Sequence, residues 1–175
     1  EVVKPPDTFS LLDVGAASGD MGRVIKAVYP AARVTSLDYV PSHLERADPP
    51  RVVGDAFAMP VRGNSFDYVF CSLFLHHFSD EQVVALLKSF GVIARHHVVV
   101  TDLERHPLAY YFLPATKWIF RWDAITLHDG PISVEAAFTR EELGELAKRA
   151  GLANVVVRRF RPAFRLGLVA NAIEV

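Results

Sequence analysis

Apolar and polar positions along this chain switch between two periods. Phe9–Val14 is an apolar run bounded by small residues, which predicts a strand buried on both faces. Met21, Val24, Ile25 and Val28 then recur at i, i+3, i+4 and i+7, one face of a helix that Pro30 ends. Strand-like runs return at 33–38, 51–54, 66–71 and 96–102, with a short helix predicted over 41–47. Val83, Leu86, Leu87 and Phe90 form a second helical stripe, which starts after Ser79 as N-cap with Gln82 three residues on. Thr139 and Glu142 spell a capping box ahead of the stripe Leu143, Leu146, Ala147 and Ala150, and Gly151 is the stop. Two last strands, near 154–160 and 165–170, flank Pro162.

Strand–helix alternation of this kind predicts an α/β fold with a parallel, doubly wound sheet. Such sheets bind ligands at the carboxyl ends of their strands, at the switch point. That rule singles out Gly15–Gly19 after strand one, Asp38 after strand two and Asp55 after strand three. It also selects Ser72, His76 and His77 after strand four, and Asp102 at the end of strand five. The small residues of LLDVGAASGDMG suit either a tight strand-to-helix turn or backbone N–H groups brought against a ligand. Asp38 lies 23 residues after Gly15 and suits a bidentate grip on a ribose diol, or an N-cap. Asp55 can accept from an exocyclic amine such as adenine offers, or close an Asx-turn.

Composition narrows the field further. The 175 residues fit one domain, 51% of them hydrophobic and 22% charged, as in a globular chain. A net charge of −1 offers no basic face for nucleic acid. The lone Cys71 excludes an internal disulfide and a cysteine zinc cluster, and no metal site is expected. There is no signal-peptide pattern and no run of about 18 apolar residues, so a soluble, cytoplasmic protein without stable membrane insertion is expected. The first residue is Glu1 rather than Met, as in a chain that lacks an N-terminal piece.

Three stretches carry a family resemblance: LLDVGAASGDMG, VTSLDYVPSHLERA and VVGDAFAMPVRGNSFDYVFCSLFLHHFSD. Over roughly Phe9 to Ala170 the chain resembles the class I S-adenosylmethionine-dependent methyltransferases, in particular the ubiquinone/menaquinone-biosynthesis-type branch that acts on small molecules. The resemblance implies a Rossmann-like, mostly parallel seven-stranded sheet with an antiparallel last strand, and S-adenosylmethionine as cofactor. It sets the methionine part of the cofactor against Asp13, Gly15, Ala16 and Gly19. Asp38 takes the ribose hydroxyls with Tyr39 beside the adenine. Asp55 and Ala56 meet the adenine edge, and Ser72 lies beneath the sulfonium. The family loop reads G-x-G-x-G, whereas Ala17 replaces the middle glycine here. Alanine favours φ < 0, so the turn is expected to adopt that region or to shift, with weaker cofactor binding. Only eight residues precede strand one, where related proteins carry extra helices.

Methyl transfer to an oxygen needs a base, and His76 is the candidate. HHFSDE is similar to the HDWSDE run of plant-type O-methyltransferases, in which the first histidine is the base. A histidine pair here also occurs in relatives that methylate carbon. His77 is a substrate-lining candidate. The aromatic-rich segment 106–130 follows strand five and is expected to form a lid or pocket wall for a small, apolar or aromatic acceptor. Trp118 lines that wall, and His128 is a reserve base. Two other readings remain at this stage: a cofactor-binding protein without catalysis, and a nicotinamide-dependent oxidoreductase. The latter wants G-x-G-x-x-G, which glycines 15, 19 and 22 do not fit. The acceptor's identity, oxygen against carbon, and the oligomeric state are not legible.

Overall fold

Seven strands form one sheet in the order β3-β2-β1-β4-β5-β7-β6. The computed structural model describes residues 5–111 and 132–173. Its strands are β1 (Ser10–Val14), β2 (Arg33–Asp38), β3 (Arg51–Val53), β4 (Phe66–Ser72), β5 (Ala94–Leu103), β6 (Ala153–Phe160) and β7 (Arg165–Asn171). Helices α1 (Asp20–Val28), α2 (Asp80–Ile93) and α3 (Arg140–Arg149) connect them. The β1–β2, β2–β3, β1–β4 and β4–β5 pairs are parallel, and β7 runs antiparallel between β5 and β6. This is the expected Rossmann-like, doubly wound α/β fold. The winding reverses between β1 and β4, which makes the carboxyl ends of those strands the switch point. None of the described helices is long and apolar enough to cross a membrane.

Helices α2 and α3 cover one face of the sheet. Val83, Leu86, Leu87 and Phe90 of α2 are fully buried, as are Leu143 and Ala147 of α3. They pack on Leu12, Val69, Val98, Val100, Leu166 and Leu168 in one continuous core. Both predicted capping boxes form: Ser79 with Gln82, and Thr139 with Glu142.

The other face departs from the expected pattern. Val24 is 54% exposed and Val28 64%, so α1 does not bury the stripe its spacing suggested. Its fully buried residue is Gly22, where an added Cβ would press on Val34. Close approach at the glycine rolls the helix so that Met21 and Ile25 flank the contact, against Phe9, Leu11, Tyr68 and Phe70. The helix expected over 41–47 is a single 3-10 turn, His43–Arg46. The segment 106–130 is described only to residue 111, helical over 107–111; Trp118 and His128 lie outside the described residues.

Phe90 is the largest fully buried side chain. Phe90→Ala is expected to cost about 3–5 kcal/mol, from lost transfer energy plus a residual cavity. Urea unfolding checks this; a loss under about 1 kcal/mol would show that the α2 interface collapses freely around the gap.

Candidate active site

The first loop is built from backbone bonds and positive φ angles. Gly15 (φ 70) and Gly19 (φ 72) take the left-handed region that glycine supplies without a Cβ penalty. Ala17 takes it too, at φ 45, which corrects the expectation of a negative φ. Left-handed alanine costs about 1–2 kcal/mol. The offsetting contact is a hydrogen bond from the Ala17 N–H to Asp38 Oδ2 at 2.9 Å. Gly15 and Ala16 both donate to the Leu37 carbonyl, at 2.9 and 3.0 Å, and Gly19 donates to Ala16. The loop's first three amides are therefore spent inside the protein, as the tight-turn reading of this stretch has it. What the loop offers is close approach: a Cβ on Gly15 would collide with the Phe74 ring, and one on Gly19 would lie 2.6 Å from the Ala47 Cβ.

Asp38 gathers the ends of β1 and β2. Its Oδ2 accepts from Ala17, while Oδ1 accepts from the Val40 N–H at 2.9 Å and contacts His43 Nδ1 at 3.2 Å. A carboxylate has about four acceptor positions, so one on Oδ2 stays open. That suffices for one ribose hydroxyl; a bidentate grip on both needs an internal partner to yield. Asp55 closes an Asx-turn by accepting the Phe57 N–H at 2.9 Å through Oδ1. It is exposed, and its Oδ2 has no protein partner among the described residues.

These groups share a cleft of about 380 Å³ at the carboxyl end of the sheet. Gly15, Asp38, Tyr39, Asp55 and Ala56 line it, five of the nine cofactor candidates, together with Leu37 and Gly54. Phe57, Phe74 and Phe78 form its aromatic wall, with Phe78 edge-on to both others at centroid distances of 5.4 and 4.9 Å. The sequence reading passed over this wall. Phenylalanine recurring at 57, 74 and 78, just after β3 and β4, was the available signal.

The other candidates stand back from the cleft lining. Ser72 Oγ accepts from Thr101 Oγ1 at 2.9 Å. Ala16 and Gly19 shape the loop. Asp13 is buried, and its Oδ2 has no hydrogen-bond partner among the described residues. Burial, then the neighbouring Asp38 charge, raises its carboxyl to about 7.

His76 and Asp102 form a second cluster behind the 3-10 turn Leu75–His77 that follows β4. Nδ1 of His76 lies 2.6 Å from Asp102 Oδ1, and the imidazole side chain is only 4% exposed. Asp102 also accepts from the Leu75 and His76 N–H groups through Oδ2, and from Leu103 N–H through Oδ1. A carboxylate facing Nδ1 places the ring proton there and leaves Nε2 as a lone-pair acceptor, the tautomer a general base needs. His77 lies across the His76 ring at a centroid distance of 4.1 Å and is itself exposed. Partial burial, then His76, lowers its pKa.

Two measurements test this geometry. Ala17→Gly is expected to stabilise the protein by up to about 1 kcal/mol, because left-handed strain is removed; a fall in melting temperature would mean that unfolded-chain entropy outweighs the strain. Asp13 holds a proton in the folded state that the unfolded chain has released between about pH 4 and 7, so its contribution to stability falls as pH rises through that window. The difference in urea midpoint between Asp13→Asn and the unaltered protein should therefore grow in the variant's favour from about pH 5 to 7.5, and a flat difference would place Asp13 in an ordinary carboxylate setting.

Residues 12–96 match the methyltransferase domain family. No curated protein matches the chain. A Methanosarcina mazei S-adenosylmethionine-dependent methyltransferase is similar in structure, with a TM-score of 0.69 at 16% identity over 97% of this chain and 94% of that one. Human N-acetylserotonin methyltransferase, solved with S-adenosylmethionine, gives 0.69 at 15% identity, over 96% of this chain and 49% of its own. Magnesium protoporphyrin IX methyltransferase from Synechocystis PCC 6803, with bound S-adenosylhomocysteine, gives 0.65 at 14% identity, over 95% and 75%. The chain thus spans about half the length of some relatives and nearly all of others. Residues 12–96 thus match a methyltransferase domain family, and the chain shares its fold with S-adenosylmethionine-dependent methyltransferases of known structure.

Proposed function

We propose that this protein transfers a methyl group from S-adenosylmethionine to an oxygen of a small-molecule acceptor, with His76 as the base. The carrying observation is the cleft that brings Gly15, Asp38 and Asp55 together from three consecutive strand ends. It fits the cofactor on two counts: Asp38 keeps an open lone pair for a ribose hydroxyl, and Asp55 Oδ2 is open to the adenine amine. Tyr39 and the three phenylalanines supply apolar area for the base. When bound, the cofactor supplies a methyl group already activated on sulfonium sulfur.

The chain's own contribution is to hold and to deprotonate. The aromatic wall orients the nucleoside, and orientation supplies much of the rate in such transfers. Nε2 of His76 takes the proton from the acceptor hydroxyl as its oxygen gains the methyl. Asp102 holds the imidazole in the required tautomer and stabilises the imidazolium that results. Both similar structures named for an acceptor, N-acetylserotonin and magnesium protoporphyrin IX, act on small molecules, which supports that acceptor class here. The ubiquinone-type branch and the roles of His77, Trp118 and His128 at the acceptor belong to the same proposal.

Asp38→Ala should weaken S-adenosylhomocysteine binding by about 1–3 kcal/mol in calorimetry, through lost charge-assisted bonds. Unchanged affinity would remove Asp38 from the cofactor site. For the base, the unaltered protein is incubated with methyl-labelled cofactor and a panel of phenols and enols. His76→Gln should abolish transfer by about 10²–10⁴-fold while cofactor binding persists. Transfer that survives in His76→Gln would leave the imidazole as a packing residue beside a carbon or self-ionising acceptor.

A further inference from the structure

The β6–β7 hairpin carries a charge concentration that the reaction does not use. Residues 158–165 read RRFRPAFR, with arginines at 158, 159, 161 and 165. Arg159 is engaged: its guanidinium meets Glu104 at 2.9 Å and Glu141 at 3.3 Å. Glu104 is 3% exposed, and Arg161 reaches it at 3.6 Å from an exposed position. Arg158 and Arg165 have no carboxylate within 4.0 Å among the described residues. Four arginines thus face two acidic partners, although the whole chain is at −1.

The same element exposes apolar surface. β6 is an edge strand, and its alternation puts Val157 in the core while Val156, Arg158 and Phe160 point outward. Phe160 is 53% exposed. Leu103, the last residue of β5, pairs with Arg165, so the hairpin stands at the carboxyl end of the sheet, the end of the cleft. Leu73, Leu108, Tyr111 and Ile132, which follow β4 or flank the segment after β5, are exposed too.

We propose that the β6–β7 hairpin docks this protein peripherally on anionic lipid bilayers, with Arg158, Arg161 and Arg165 at the headgroups and Phe160 entering the interface. The charge draws it to an anionic leaflet, and the exposed apolar side chains gain only where hydrocarbon is within reach. A nucleic acid rewards the arginines but not the exposed Leu73, Leu108 and Ile132, which gain only against hydrocarbon. Docking in this orientation turns the cleft toward the lipid surface. It holds whichever acceptor atom is methylated.

The test is cosedimentation of the full chain with vesicles of equimolar phosphatidylglycerol and phosphatidylcholine, against phosphatidylcholine alone. Binding is expected only to the anionic vesicles and should fall at high salt. Arg158→Glu with Arg161→Glu should reduce partitioning at least about tenfold, and Phe160→Ser should reduce it further. Lys88→Glu, the same charge reversal at one exposed site on α2, should not. Cofactor binding and melting temperature verify folding. Arg158→Gln, at an exposed position without a carboxylate partner, gives the same reading if the double variant unfolds. Equal binding to both vesicle types, no binding to either, or equal loss with Lys88→Glu would overturn the proposal. Binding to a labelled RNA or to polyglutamate in place of vesicles would overturn it in favour of a macromolecular partner.

Discussion

One carboxylate holds the first two strand-end loops of this molecule in shape. Asp38 ends β2, yet its oxygens reach the Ala17 amide on the first loop, the Val40 amide beyond its own strand, and His43 on the following turn. Without an acceptor at that point, a left-handed alanine would have nothing to offset its strain. The two loops would also lose their side-chain tie, leaving only the Leu37 carbonyl to link them. The same group holds the scaffold and still keeps a lone pair open toward the cleft.

A second carboxylate does the equivalent work one strand pair away. Asp102 accepts three backbone amides as well as His76, so the imidazole is aimed by a group that is itself immobilised. The cleft and the dyad are built on the same plan: an aspartate at the end of a parallel strand organises the turn after its neighbour. Doubly wound sheets favour this, since strand ends and crossover loops converge at the switch point.

The fold was legible because its signals are local and repeated. α2 and α3 announced themselves by capping boxes and 3.6-residue stripes, and both bury those stripes. α1 misled because four apolar letters at helical spacing outvoted one glycine, when the close contact at Gly22 decides how the helix lies on the sheet. Asp38 and Asp55 were found from their positions after strands, which chain order alone determines. Their actual bonds were not, because Asx-turns and loop ties depend on where a neighbouring strand places its amides. The positive φ of Ala17 escaped for the same reason: an unfavourable conformation is sustained by a partner 21 residues away. Whole-chain charge hid the arginine hairpin, since a sum of −1 says nothing about how charge is distributed in space.

The position of β7 has a consequence for how the molecule comes into being. It is the last of the described strands in chain order, yet it sits inside the sheet and supplies both ladders that join β6 to β5. During synthesis, β5, α3 and β6 all leave the ribosome before the strand that must lie between two of them. Until it arrives, Val98, Val100 and Val157 lack the neighbours Leu166 and Leu168, and the edge of β5 stays open. The nascent chain therefore passes through a stage in which β1 to β4 are complete while the β5–β7–β6 side of the sheet is not. That stage is where a chaperone, or a wrong strand, has its opportunity.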